Sequence, residues 1–179
     1  MGVPQLTTVG HGALEAGQFT ALVTGAGVEA LVDVRSFPGS RRHPHFGRAQ
    51  MEGWLPAAGV EYRWEQPLGG FRRPQPGSVN VALRHPSFRG YADHMRTAEF
   101  RDALDRLVVL AAGRPTAVMC SESLWWRCHR RLLADALVLG GRAHVRHVLP
   151  DGRTEPHRVT EGARRGDDGL PVYDVGVLL

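Results

Sequence analysis

The stretch PTAVMCSESLWWRCHRRLLADALVLGG, residues 115–141, decides the fold. Pro115 to Cys120 is a short apolar run, the pattern of a strand covered on both faces. From about Trp126 to Leu139 the period becomes helical. Leu132, Leu133, Ala136 and Leu137 share one side, and Gly140-Gly141 ends the run. A buried strand feeding directly into a helix is half of a β-α-β unit.

The same alternation extends outward from this stretch. Leu6–Gly10 reads as a strand. Leu14–Ala26 reads as a helix, with Phe19, Leu22 and Val23 on one face and Gly25 and Gly27 as its stop. Ala30–Val34 is a second buried strand, Ala49–Ala58 a short helix and Val60–Trp64 a strand. Gln66 to Pro86 is rich in Gly and Pro and reads as a long surface excursion. Thr97 is the expected N-cap of a helix over Ala98–Ala112, whose stripe is Phe100, Ala103, Leu104, Leu107 and Ala111. Ala143–Leu149 is the last clear strand, and only Val172–Leu179 offers another beyond it. No internal repeat is present. The expected fold is one α/β domain, a largely parallel sheet flanked by helices, Rossmann-like or doubly wound. It spans residues 1–150, with 151–179 an extension packed on or trailing the same domain.

Composition narrows the chemistry. The chain has 179 residues, one domain's length, with 42% hydrophobic residues for a core. All 22 basic residues other than histidine are arginine. The absence of lysine excludes a Schiff-base lysine and a P-loop lysine. A GC-rich genome accounts for such a bias as readily as function does. Net charge of +4 permits an anionic partner without demanding one. No apolar run approaches a membrane span, and the opening residues carry no signal-peptide pattern. With two cysteines only, Cys120 and Cys128, the expected compartment is the cytoplasm.

In parallel sheets, ligands bind beyond the carboxyl ends of the strands. The segments leaving those ends are Gly10-His11, Asp33-Val34-Arg35 and Cys120-Ser121-Glu122, so their polar groups are expected to converge. Cys120 closes a strand just before a helix, where backbone N–H groups and Arg127 and Arg130 favour a thiolate. Anion-holding cysteine loops place arginine six positions on, and here that position is Trp126. An inert buried cysteine is the competing reading. Cys128 and His129 precede Leu132 and Leu133 by four, which suits core packing. His11, Cys120, Cys128 and His129 make a metal set on paper, but their spacing matches no common zinc pattern, and no metal is assigned. Asp33 and Glu122 are either an acid/base pair or parts of a salt-bridge network. Arg41, Arg42, His43, His45 and Arg48, interleaved with Phe37, Phe46 and Trp54, form either a phosphate-gripping loop or a solvated basic one. Phe88 to Met95 adds a polar-aromatic segment to the same cleft.

The ordered set Gly10-His11, Asp33 to Pro38, Ser40-Arg41-Arg42, Leu68-Gly69-Gly70, Phe88 to Asp93, Cys120-Ser121-Glu122 and Arg127 to Arg130 resembles the DUF488 family, a bacterial and archaeal domain of unknown function. The resemblance runs from about Thr7 to His147 and implies a single compact α/β domain. Two features depart from it. Gly12 stands where relatives usually have serine, and Leu124-Trp125-Trp126 replaces a polar, proline-containing segment.

The expected function is an enzyme, of hydrolase or transferase type, acting on a phosphate-bearing substrate such as a nucleotide or nucleic acid. Cys120 or Glu122 would react, with His11 or Asp33 moving protons. Arg35, Arg41, Arg42, Arg127 and Arg130 would bind the anion, and Tyr91, Trp125 and Trp126 would offer stacking faces. The alternatives are a non-enzymatic nucleic-acid-binding module and a metal or redox sensor built on the cysteines. The sequence requires no cofactor.

Overall fold

A computed structural model describes residues 2–175. Five strands lie parallel: β1 (Gln5–Gly10), β2 (Ala30–Asp33), β3 (Glu61–Trp64), β4 (Thr116–Cys120) and β5 (His144–Val148). A sixth, β6 (Thr154–Pro156), returns antiparallel to β5, giving the order β3-β2-β4-β1-β5-β6. Every residue of β2 and β4 is buried, as expected of central strands covered on both faces. Alternate residues point to opposite layers. Val32 and Val118 join the core beneath α3 (Pro86–His94), α4 (Ala98–Gly113) and α5 (Arg130–Leu139). Leu31, Ala117 and Met119 join the core beneath α1 (Ala16–Gly25) and α2 (Arg48–Trp54).

Local chemistry explains most boundaries. Thr97 caps α4 by accepting from the Phe100 N–H at 3.3 Å, and all five stripe residues are buried. Gly27, in the left-handed region at φ 71°, turns the chain after α1.

Three elements differ from the sequence reading. The helix expected from Trp126 begins only at Arg130, because Trp125–Arg127 form a separate 3-10 turn that closes at Cys128. The segment from Phe88 lies in a helix, α3, which starts at Pro86 with His85 accepting from the Ser87 N–H. Residues after 150 add β6 to the sheet, a two-stranded ribbon of β7 (Arg164–Arg165) and β8 (Pro171–Val172), and two core side chains, Leu170 and Tyr173. Of the strand expected over 172–179 only Val172 is in a strand among the described residues, as the end of β8, and 176–179 lie outside the described residues.

Candidate functional site

The ladder continues past the strand ends and fixes where their loops begin. Val34 N–H donates to Met119 O at 2.9 Å, His11 N–H to Cys120 O at 3.0 Å and Gly12 N–H to Ser121 O at 3.0 Å. Gly10 permits this, since a Cβ there would overlap the Glu122 carbonyl. Gly12 sits at φ 52°, a conformation costly for serine. The three loops open into a cleft of about 930 Å³. His11, Arg35, Cys120, Cys128 and His129 form its floor, Glu122 stands at its side, and Arg42, Arg127, Phe37 and Trp126 line its mouth.

On one side of the floor Arg35 is 7% exposed and held by Asp33, with NH2–Oδ2 at 2.5 Å and Nε–Oδ1 at 2.9 Å. Tyr62 donates to the same carboxylate at 2.6 Å, and Arg35 also donates to Phe46 O. Burial opposes the charge of Arg35, but the hydrogen bonds and charge of Asp33 outweigh it and raise its pKa. His11 Nδ1 lies 2.9 Å from Gly12 O, so it carries the proton and leaves Nε2 as acceptor, 3.5 Å from Arg35 NH1. Burial, reinforced by the Arg35 charge, lowers the His11 pKa to about 4 and keeps the ring neutral.

The other side is built on sulfur. Cys120 Sγ and Cys128 Sγ are 2.7 Å apart, both free, 2% and 6% exposed. Arg130 lies behind them, 1% exposed. Its Nε donates to Cys120 Sγ at 3.1 Å, its backbone N–H to Cys128 Sγ at 3.5 Å, and its NH2 to Glu122 O. Among the described residues no carboxylate pairs with it. A buried guanidinium needs a counter-charge, and the thiols are what it touches. Burial pushes the Cys120 thiol up, as does the hydrogen bond it shares with Cys128, which either sulfur can donate. Burial also works against a Cys128 thiolate, but that hydrogen bond and the charge of Arg130 outweigh it, bringing Cys128 down to about 6. His129 Nε2–H donates to Val34 O at 2.9 Å, which leaves Nδ1 facing Cys128 Sγ at 3.5 Å.

Behind Arg130 runs a buried hydrogen-bonded chain that the sequence reading missed. Arg130 NH1 donates to Thr8 Oγ1 at 3.3 Å, and Thr8 Oγ1 donates to His147 Nδ1 at 2.7 Å. His147 Nε2 then meets His157 Nδ1 at 2.9 Å, and His157 Nε2 meets Asp135 Oδ1 at 2.8 Å. Tyr173 OH closes on Asp135 Oδ2 at 2.8 Å. With both rings neutral, every donor finds an acceptor in one direction, from Arg130 to Asp135. Burial, helped by His157 and Arg130, lowers the His147 pKa to about 3. Trp125 stacks flat on His147, ring centroids 4.0 Å apart.

Several expected site residues stand elsewhere. Cys128, expected as a core side chain, does belong to the core beneath α3, α4 and α5 and also lines the cleft beside Cys120, the expected thiolate. The two share the floor: the Arg130 Nε–H reaches Cys120, burial raises the Cys120 thiol, and the hydrogen bond between the sulfurs together with Arg130 lowers Cys128. Arg130 and Asp33 are beneath the floor, so their charges act on Cys120, Cys128 and Arg35 and not on a ligand directly. Tyr91 is fully buried, its OH donating to Leu68 O, and offers no stacking face. Trp125 is occupied by His147, while Trp126 remains exposed at the mouth. Arg41 lies off the cleft lining. Among the described residues no group of three or more His, Cys, Asp or Glu side chains is arranged to hold a metal.

Fold and site together define a parallel α/β protein with a thiol pair at its strand ends. A family model described as "Domain of unknown function DUF488" matches residues 15–137, well over half of the chain. The chain belongs to that family. No curated protein and no solved structure matches it.

Proposed function

We propose that the protein is an enzyme that acts on a phosphate-bearing substrate, a nucleotide or nucleic-acid strand, with Cys128 as its nucleophile. The observation that carries this reading is the Cys120–Cys128 pair packed on the buried Arg130, which has sulfur in place of a carboxylate and so favours a thiolate on the pair, at the more exposed Cys128, on the floor of a cationic, aromatic-rimmed cleft. Arg42 and Arg127 have no carboxylate partner among the described residues and are free for an anion. Phe37 and Trp126 provide faces for a base. His11 accepts a proton at Nε2, and Glu122, whose Oε1 accepts from the Leu124 N–H, moves one at the cleft wall.

A second cleft of about 480 Å³ adjoins the first across His85, Phe88 and Trp126. It is lined by Arg84, Arg131 and Arg158, with Arg131 Nε and Thr160 Oγ1 buried and without partners among the described residues. This continuity favours a substrate longer than one nucleotide. The test is turnover and binding of a panel of nucleotides and short single strands. Cys128→Ser should abolish turnover and keep binding, while Arg42→Ala and Arg127→Ala should weaken binding and flatten its salt dependence. Turnover that survives in Cys128→Ser and Glu122→Gln refutes the reading. Binding with no turnover of any member points instead to a non-enzymatic nucleic-acid-binding module.

A further inference from the structure

We propose that Cys120 and Cys128 form a reversible disulfide, which makes the cleft floor a thiol–disulfide exchange centre for small disulfides of the glutathione class. The site is the one described above, but the proposal does not depend on a phosphate-bearing substrate.

Each sulfur is fixed by its own backbone anchor. Cys120 ends β4 in register with Gly10, and Cys128 N–H closes the 3-10 turn on Trp125 O. Their Sγ atoms are 2.7 Å apart, so a bond of about 2.05 Å needs an approach of only about 0.7 Å. The two sulfurs are not equivalent. Cys128 is the more exposed, lines the cleft from the 3-10 turn and takes the Arg130 backbone N–H, whereas Cys120 sits deeper, at the end of β4 against the Arg130 Nε–H. Cys128 is therefore the attacking sulfur, and Cys120 is the resolving one.

The exchange balances as follows. The Cys128 thiolate attacks one sulfur of the small disulfide, forming a mixed disulfide and expelling one small thiolate. That thiolate takes the proton of the Cys120 thiol. Cys120 Sγ then attacks Cys128 Sγ, the mixed S–S bond breaks, and the second small thiolate leaves. One protein thiolate, one protein thiol and one small disulfide become one intramolecular disulfide, one small thiol and one small thiolate. The cleft admits a molecule of that size, and Arg42 and Arg127 at its mouth suit the carboxylates of an anionic tripeptide.

Arg130 sets the direction of this equilibrium. Oxidation replaces an anion with a neutral disulfide and leaves a 1%-exposed guanidinium with no counter-charge in contact. The reduced form is thereby favoured, and the disulfide is an easily reduced one, formed only under strongly oxidising conditions.

The test equilibrates the full chain in buffers of reduced and oxidised glutathione, quenches with an alkylating agent and weighs the protein. We expect a species two hydrogens lighter with both cysteines protected, appearing only in buffers rich in oxidised glutathione. Arg130→Met should form it at about tenfold lower oxidant. Cys120→Ser should stop at a mixed disulfide on Cys128, and Cys128→Ser should take up glutathione much more slowly. If Arg130→Met does not fold, the wild-type titration and the two cysteine variants still decide. Free thiols or mixed disulfide alone in fully oxidised wild type would overturn the proposal, as would equal uptake by Cys128→Ser. No phosphate-bearing substrate enters these measurements, so they stand or fall apart from the phosphate reading.

Discussion

Arg35, just beyond β2, and Arg130, at the start of α5, bring two guanidiniums to the same end of one sheet, and both are almost wholly buried. Arg35 meets a carboxylate through paired hydrogen bonds, and a tyrosine hydroxyl satisfies the remainder of that carboxylate. Arg130 meets two sulfurs, a threonine and a carbonyl. The first arrangement is closed: its charges cancel and nothing is left to react. The second is open, because among the described residues no carboxylate meets its cation, which favours a thiolate at the sulfurs it touches. Of two similar residues, the one lacking a carboxylate is the one on which the proposed chemistry rests.

The largest effect should come from breaking the closed pair. Asp33→Asn leaves Arg35 buried without a counter-charge and should cost about 3–5 kcal/mol in urea unfolding. If Asp33→Asn unfolds no more easily than Arg130→Met, the two arginines are not as different as their partners imply.

Acid should strain both regions. His11 beside Arg35 and His147 behind Arg130 are held at about 4 and about 3, below the ordinary 6.5. Between those values and 6.5 the unfolded chain binds protons that the fold refuses. Stability is therefore full above about pH 6.5 and falls as pH drops, by roughly 2 kcal/mol from each ring at pH 5. Urea midpoints measured from pH 7 to pH 5 check this, and His11→Gln should remove the roughly 2 kcal/mol that its ring contributes to the fall.

Next in size is the reactivity of Cys128. Its alkylation should follow a titration centred near pH 6 in the wild type. In Arg130→Met the midpoint should rise above 7, slowing the reaction at pH 6.5 by about tenfold. An unchanged profile in that variant would remove Arg130 as the cause of the thiolate. The smallest change belongs to Tyr173→Phe. Loss of one hydrogen bond to Asp135 should cost about 1 kcal/mol and leave the alkylation midpoint where it is.

How much of this was legible in the sequence follows from the range of the interactions. The strand runs Ala30–Val34 and Pro115–Cys120 and the α4 stripe announce themselves within a few residues, because burial and helical period are local patterns. The grouping of His11, Arg35 and Cys120 needed only the rule for strand ends. The start of α5 was misread because Trp126 to His129 contains no glycine or proline to mark a break, and the 3-10 turn leaves no periodic signature. His85-Pro86 did carry a helix-start signal for α3, one that the surrounding Gly and Pro obscured. The chain through His147, His157 and Asp135 had no local mark at all. His147 alternates in β5 like any strand residue, and its partners are Thr8, 139 residues earlier, and His157, just after β6.

The carboxylate of Asp135 is satisfied by His157, Thr160 and Tyr173, residues 22, 25 and 38 positions further on. During synthesis the family-matched segment leaves the ribosome first, carrying an acid whose partners have not yet been made. The nascent α/β layers can assemble around it, but their interior stays one lock short until the last turn of the ribbon arrives. Closure of the Asp135 hydrogen bonds thus waits for residues 157 to 173.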